Sequence, residues 1–381
     1  MRMAAPRQTH WTGSGGKPIV CLCLRSLHRT DRTQQMPHTD STSHAAVPMQ
    51  TIGPVKLIGP EVDGEICVPL ATYETPLWPS TQRGARVSVR AGGLRAVIVD
   101  ERMTRSVLLE APHAVRAVEV VHDLPNRRDE MKAVVASTSR YARFDDLHTQ
   151  VIGNLLFVRF ELTTGDAAGH NMVTTAADRL LTWLCENYSD LTYGSISGNY
   201  CTDKKASAVN GILGRGKYVV VDCTVPRRIV ERYLKTTPEK IVDLNWKKNW
   251  IGTSIAGGIR SANAHFANML LAFYLATGQD AANMIEGSQG FTHAENREGD
   301  LYFSVTLPNI IVGTVGNGKD LEFVRHNLHA MGCLDQRETG ANARRLAVLA
   351  GATVWCGELS LLAAQTNPGE LMAAHLKRER P

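Results

Sequence analysis

The sequence predicts an α+β fold, and three observations predict it. Between Val87 and Phe160, short apolar or alternating runs recur at Arg95–Asp100, Ser106–Glu110, Val118–Val121 and Leu155–Glu161, with the period and β-branched content of strands. Beyond them, Met172–Tyr188, Pro226–Thr236, Ser261–Thr277, Asp320–Gly332 and Asn342–Gln365 have the length and periodicity of helices. No Gly-x-Gly-x-x-Gly follows a strand, so a doubly wound nucleotide-binding sheet has little support.

In chain order, residues 1–48 are rich in Thr, Ser, His, Arg, Gln and Pro and lack amphipathic periodicity. They read as a disordered extension, or as sequence upstream of a true start at Met36 or Met49. This segment holds six Lys and Arg against two Asp and Glu, so +4 of the net +5 sits in it and the rest is nearly neutral. That balance argues against a nucleic-acid footprint on the body. Strand-like alternation begins at Met49. A helical stretch, Asp123–Ser137, interrupts the strand runs that follow, and the second half reads as helix-rich.

At 381 residues, 43% hydrophobic and 21% charged, the chain can bury a sizeable core in two domains or in one with an insertion. Ile19–Leu24 is short and Met269–Leu275 reads as a buried helix, so no run reaches the roughly 20 residues that span a bilayer, and no membrane partner is expected. Cysteines 21, 23, 67, 185, 201, 223, 333 and 356 are dispersed, without zinc spacing. Reduced thiols in a cytoplasmic protein with no metal site are the simplest expectation.

The most informative segment is Ser197-Gly198-Asn199-Tyr200-Cys201-Thr202-Asp203-Lys204-Lys205. Its turn-forming residues hold adjacent lysines on a loop beside hydrogen-bonding neighbours, where an ammonium can bind an anion or polarise a carbonyl. Other blocks recur along the chain: Val68–Glu74, Ser80–Gly84, Met103–Arg105, Gly165–Met172, Lys248–Asn249, Asn263–Asn268, Gly278–Ala282, Gly313–Gly318, Glu338–Arg344 and Gly357–Ser360. Together, in this order, they resemble the 3-hydroxy-3-methylglutaryl-CoA (HMG-CoA) reductase family, its NADPH-dependent class I catalytic domain above all, from about Ile52 to Arg380.

That resemblance implies a helix-rich large domain for acyl-CoA, residues 49–106 and 196–381, with a C-terminal flap carrying His375. It also implies an inserted small ferredoxin-like dinucleotide-binding domain, residues 107–195. The implied catalytic residues are Glu74, Lys204, Asp280 and His375. Lys204 would stabilise an oxyanion as hydride reaches the thioester carbonyl. Glu74 would give a proton to the aldehyde-level oxygen, and Asp280 would bridge the two. His375 would protonate the departing thiolate, for which an unperturbed pKa of about 6.5 is well placed. Arg105, Ser197, Asp203, Lys205, Lys248 and Asn268 are implied in the acyl pocket, where a basic cluster suits an anionic glutaryl group.

For the cofactor, the resemblance implies Asp166, Gly169, His170 and Asn171, at a turn whose helix start offers free N–H groups to phosphate. It adds Asn199 and the glycine-rich Gly313, Thr314, Gly316 and Gly318. Ser139, Arg140 and Tyr141 stand where a cation meets a 2′-phosphate, and a planar guanidinium there favours NADPH over NADH. A homodimer or homotetramer with active sites at the subunit interface is implied as well. Tyr73, Thr75 and Pro76 around Glu74 depart from the family pattern, and the family's Glu-Asn-x-Ile-Gly segment is absent. Two alternative readings follow: a catalytically silent acyl-CoA or dinucleotide-binding relative, or a reductase of another short branched acyl-CoA.

Overall fold

The computed structural model describes residues 45–379, apart from the side chains of Ala374, His375 and residues 377–379. The expected disorder of residues 1–44 therefore lies outside the described residues. From Val47 on, the chain forms one compact unit.

Its first half contains β1 (Met49–Ile58), β2 (Gly64–Ala71), α1 (Leu77–Arg90), β3 (Leu94–Glu110), α2 (Ala114–Asp123), α3 (Arg128–Thr138), β4 (Arg143–Ile152), β5 (Leu155–Thr163), α4 (His170–Asn187) and β6 (Thr192–Ser195). There follow α5 (Ala208–Leu213), β7 (Gly216–Val225), α6 (Pro238–Leu244), β8 (Ser261–Ala262), α7 (Phe266–Ala276), β9 (Gly290–Arg297), β10 (Asp300–Ile310), α8 (Glu322–Ala330), α9 (Ala341–Gln365) and α10 (Glu370–Glu379).

Strand β3 organises the molecule. It is 17 residues long, enough to serve two sets of partners. Arg95–Arg102 pairs antiparallel with β7, which continues through β10, β9 and β8, while β1 and β2 flank the other side. Met103–Glu110 pairs antiparallel with β5, and its end with β6. Two apolar clusters follow this division: Trp355, Phe273, Phe303 and Val221 belong to one, and Leu109, Val158, Leu180 and Met131 to the other. Thr104 and Arg105 lie just past the changeover, on the wall of a cleft.

The second half carries more sheet than its helical periodicity suggests. In β7, Val219, Val221, Cys223 and Val225 alternate inward, a period of two that marks a strand covered on one face. The expected helix over Ser261–Thr277 divides into the short β8 and α7. Val118–Val121 is a correction in the other direction, because it lies in α2 and not in a strand. Ala117 and Val120 are buried while Val115 and Val118 are exposed, a three-residue spacing that helical packing rewards over β-branched propensity. His113 starts that helix by accepting from Arg116 N at 3.1 Å.

The expectation that no run reaches bilayer length is corrected by helix α9, which is long and apolar enough to cross a membrane by length and composition, yet 94% of its most apolar stretch is buried inside the protein. It is therefore a core helix, packed against α1, β7 and β10. Small residues permit the closest approaches. A Cβ added to Gly84 of α1 would stand 2.1 Å from the Cys356 carbonyl oxygen, with backbone on both sides and nothing flexible to yield. Gly84→Ala is expected to destabilise the fold by about 3 kcal/mol, the upper end for overpacking, read as a lower urea midpoint. An unchanged midpoint would contradict this packing.

Candidate active site

The 197–205 segment is a strained loop. Asn199, Thr202 and Lys204 all adopt positive φ, at 57°, 41° and 56°, a region costly for side chains with a Cβ and held only when neighbours over-determine it. Asn210 Nδ2 supplies that constraint by donating to the Cys201 and Thr202 carbonyls at 2.9 and 3.3 Å. Thr202 and Ser207 hydroxyls lie 2.5 Å apart. Cys201 is 1% exposed and serves as the loop's packed anchor.

The strain aims Lys204 at Asp280, with Nζ 2.6 Å from Oδ2. Asp280 is fixed by its other oxygen, which accepts from Ala282 N at 3.1 Å. The hydrogen bond to Asp280 raises the Lys204 ammonium above its ordinary range. For Asp280, burial pushes upward but is outweighed by the hydrogen bonds from Lys204 and Ala282 together with the Lys204 charge, so the carboxyl is held low. Both groups therefore stay charged at neutral pH.

Behind this pair lies a second, buried set of charges. Arg215 reaches Asp203 Oδ1 at 3.0 Å and also contacts Glu286. Arg105 Nη1 and His170 Nε2 each approach Asp203 to 3.9 Å. Arg215 is 1% exposed and Glu286 fully buried. Burial, partly offset by Arg215, pushes the Glu286 carboxyl up to about 7. His170 is held low, first by burial and then by Arg215, so it is neutral at physiological pH.

All of these groups except Glu286 line a cleft of about 540 Å³ together with Ala167–Thr174, Gln279, Val315–Asn317 and Lys319. Its floor is made by two close-packed turns. A Cβ on Gly313 would meet Ala168 N at 2.3 Å, Ala167 bridges Val315, and Thr314 N donates to the Asp166 carbonyl at 2.8 Å. Gly169, at φ 96°, starts α4 without a side-chain cap. The first-turn N–H groups there are available to an anion. Gly316, at φ 98°, has open space where a Cβ would be. The Asp166 carboxylate faces elsewhere, accepting from Gly340 and Ala343 amides at 3.0 Å and so capping α9.

Arg140 and Tyr141 line a neighbouring cleft of about 400 Å³ with Arg143, Arg344 and Gly165. The Arg140 guanidinium lies 4.8 Å from the Tyr141 ring centroid, and Ser139 Oγ accepts from Tyr141 N at 3.1 Å. Gly165 borders this cleft and Ala167–Gly169 the larger one, so a single turn joins them.

Glu74 lies apart. Its Oε2 accepts from Asn268 Nδ2 at 2.6 Å, and it opens on a third cleft of about 250 Å³ with Ser80, Arg83, His265 and Glu370. Glu358 supports that region by accepting from Ala264 and His265 amides at 2.9 and 2.6 Å. His265 is thus a packed residue before α7. Lys248 is half-buried and donates to Asn249 at 3.0 Å; burial holds its ammonium low, partly countered by Glu358. Lys205 is exposed and donates to the Asp203 carbonyl at 3.2 Å, and Ser197 N donates to Ser195 Oγ at 3.0 Å. His375 falls in α10, and its side chain lies outside the described residues.

One chain therefore gathers Lys204, Asp280, Asp203, Arg105, Gly169, His170, Asn171 and Gly316 on one cleft, but Glu74 and Asn268 on another. Sequence reasoning missed Arg215, Glu286, Gln279 and Lys319. The Gly214-Arg215-Gly216-Lys217 run was a visible signal for the first.

An ammonium–carboxylate pair on a strained loop, facing a glycine cradle and an uncapped helix start, has the chemistry to hold an anionic ligand and to stabilise negative charge developing on a substrate. The family model for hydroxymethylglutaryl-coenzyme A reductase matches residues 40–380, and the chain belongs to that family of oxidoreductases. It is 44% identical over 335 residues to the 3-hydroxy-3-methylglutaryl-coenzyme A reductase of Pyrococcus abyssi, covering 87% of this chain and 80% of that protein. To the Aeropyrum pernix protein of the same name it is 42% identical over 331 residues, covering 86% and 78%. A solved structure of the class II 3-hydroxy-3-methylglutaryl-CoA reductase from Streptococcus pneumoniae, bound to NADPH in open conformations, matches with TM-score 0.68 at 20% identity, covering 86% and 87%. That likeness supports the mixed α+β architecture.

Proposed function

We propose that this protein reduces (S)-HMG-CoA to mevalonate and free CoA with two molecules of NADPH, for isoprenoid synthesis. The observation that carries this reading is the 2.6 Å Lys204–Asp280 pair beside the glycine cradle in a chain of this family. The residues present fit a dinucleotide: Gly316 leaves room for close approach, the start of α4 offers free amides, and Arg140 and Arg143 stand one turn away. Bound NADPH would supply the hydride.

Lys204 holds its charge where the thioester oxygen becomes anionic, and Asp280 fixes the position of that charge. Arg105 and Asp203, anchored through Arg215, shape the acyl pocket, joined by Ser197, Lys205, Lys248 and Asn268. Glu74 donates the proton at the aldehyde level, and His375 protonates the thiolate. Asp166, Gly313, Thr314, Gly318 and Asn199 support or border the cofactor cradle, and Ser139 and Tyr141 set Arg140. The second apolar cluster, around β4, β5 and α4, supports a ferredoxin-like dinucleotide-binding insert over residues 107–195 within the acyl-CoA domain of 49–106 and 196–381. Free thiols at Cys67, Cys185, Cys201, Cys223, Cys333 and Cys356 support a reducing, cytoplasmic setting.

The separation of Glu74 from Lys204 within one chain supports a homo-oligomer whose site is completed by a second copy. Co-expressing Glu74→Gln with Lys204→Ala tests this. If one site takes Glu74 from one copy and Lys204 from the other, mixed dimers regain one intact site in two, and a random mixture recovers about one quarter of wild-type activity. No recovery in a confirmed mixed oligomer would place both groups in one copy. NADPH consumption with HMG-CoA against other short branched acyl-CoAs tests the reaction itself: preference for another thioester, or binding without turnover, would overturn it.

A further inference from the structure

Lys319 follows the glycine-rich turn and belongs to none of the motifs used above. It lines the same cleft as Lys204, Asp280 and the start of α4. Its ammonium donates to the Gly278 carbonyl and lies 3.4 Å from the Asn317 carbonyl. Gly278 and Gly318 pack backbone to backbone, and a Cβ on Gly278 would stand 2.4 Å from the Gly318 oxygen. The lysine is thus stapled across the seam between the glycine-rich turn and the turn that carries Asp280.

No carboxylate pairs with it among the described residues; its hydrogen-bond acceptors are two neutral carbonyls. A half-buried cation balanced only by dipoles gains from an anion entering the same cavity. The uncapped N-terminus of α4, itself an anion-binding element, lines the same cleft. Resting on the assignment of this cleft to the dinucleotide, we propose that Lys319 binds the cofactor's diphosphate, exchanging its Gly278 carbonyl contact for phosphate oxygen in the cleft it shares with the start of α4.

The cleft's charges make the contact readable by pH. Burial lowers the Lys319 ammonium to about 8. Of the other groups facing the cleft, Lys204 is held above its ordinary range and Asp280 and His170 below theirs, so none of these changes charge between pH 7.5 and 9. Arg105, Arg215 and Asp203 also face the cleft. Glu286, pushed up to about 7, is buried behind Arg215 and does not line the cleft. Deprotonation of Lys319 across this window would therefore weaken diphosphate binding.

The test is equilibrium binding of NADPH, and of ADP-ribose 2′-phosphate as a probe lacking nicotinamide, to the full chain by fluorescence and calorimetry. Lys319→Met is expected to raise both dissociation constants about tenfold at pH 7.5, as loss of one charged hydrogen bond does. It should also bind with a weaker pH dependence than wild type between 7.5 and 9. Lys319→Arg is expected to keep the affinity and remove that pH dependence, which a merely structural lysine would not do. Unchanged binding by folded Lys319→Met overturns the proposal. So does a loss confined to 3-hydroxy-3-methylglutarate, which would assign the lysine to the acyl substrate. Failure of the wild type to bind NADPH would instead bring down the functional reading on which the proposal rests.

Discussion

Lys204→Ala is expected to lower kcat by about two to three orders of magnitude, the effect of removing one preorganised donor from a developing oxyanion. The loop carrying it holds three non-glycine residues at positive φ, a conformation that persists because Asn210 and Ser207 lock it. Such strain places the ammonium before the reaction begins, so little reorganisation is needed at the transition state. The Asp280 contact at 2.6 Å raises the lysine's proton affinity, so the charge is present throughout the neutral range. Asp280→Asn should therefore lose less than Lys204→Ala, because the ammonium stays but is less fixed. NADPH binding should survive both changes, since the amides of α4 and the glycine turn remain. A Lys204→Ala variant within about threefold of wild-type kcat would remove this lysine from the chemistry.

Arg215→Met is expected to destabilise the protein by about 3–5 kcal/mol, the range for breaking a buried ion pair. Arg215 contacts both Glu286 and Asp203, so its loss strands a fully buried carboxylate and frees the residue preceding Lys204. The sign of the pH effect follows from Glu286, whose carboxyl is raised from an ordinary 4.5 to about 7. A raised value means the folded state holds the proton more tightly. Its favourable contribution is complete below about 4.5 and is lost as pH rises through about 7. Without Arg215 the carboxyl rises further, so the deficit of Arg215→Met should be larger at pH 8 than at pH 6. Urea unfolding at the two values measures this, and a pH-independent loss under about 1 kcal/mol would contradict the role of the pair. The variant should also lose acyl-substrate affinity, because Asp203 then keeps, among the described residues, the longer contacts to Arg105 and His170.

Local chemistry in the sequence points to much of the candidate site. The turn formers around Lys204, the glycines at 169 and 316, and the cation at Arg140 each constrain their own few residues. The Arg215–Glu286 pair was not legible, because its partners lie 71 residues apart and neither sits in a distinctive local pattern. Lys319 was missed for a related reason: its surroundings come from the Gly278 turn, remote in sequence. Val118–Val121 misled because β-branched residues suit a strand, whereas a three-residue burial spacing on the second apolar cluster made them helix. β7 and β10 were overlooked because strands covered by α9 read as apolar runs that helices share.

By itself, the sequence determined the family, the mixed architecture and the residue types able to carry charge and protons around a thioester, since these reside in short segments whose conformational preferences are local. Only the tertiary structure decided which of them share a cleft. Pairing of β3 with β7 and β5 brought Arg105 beside Asp203 and Lys204, while α7 and α10 enclosed Glu74 in a separate cleft. That outcome depends on burying two apolar clusters at once, and no local propensity encodes it.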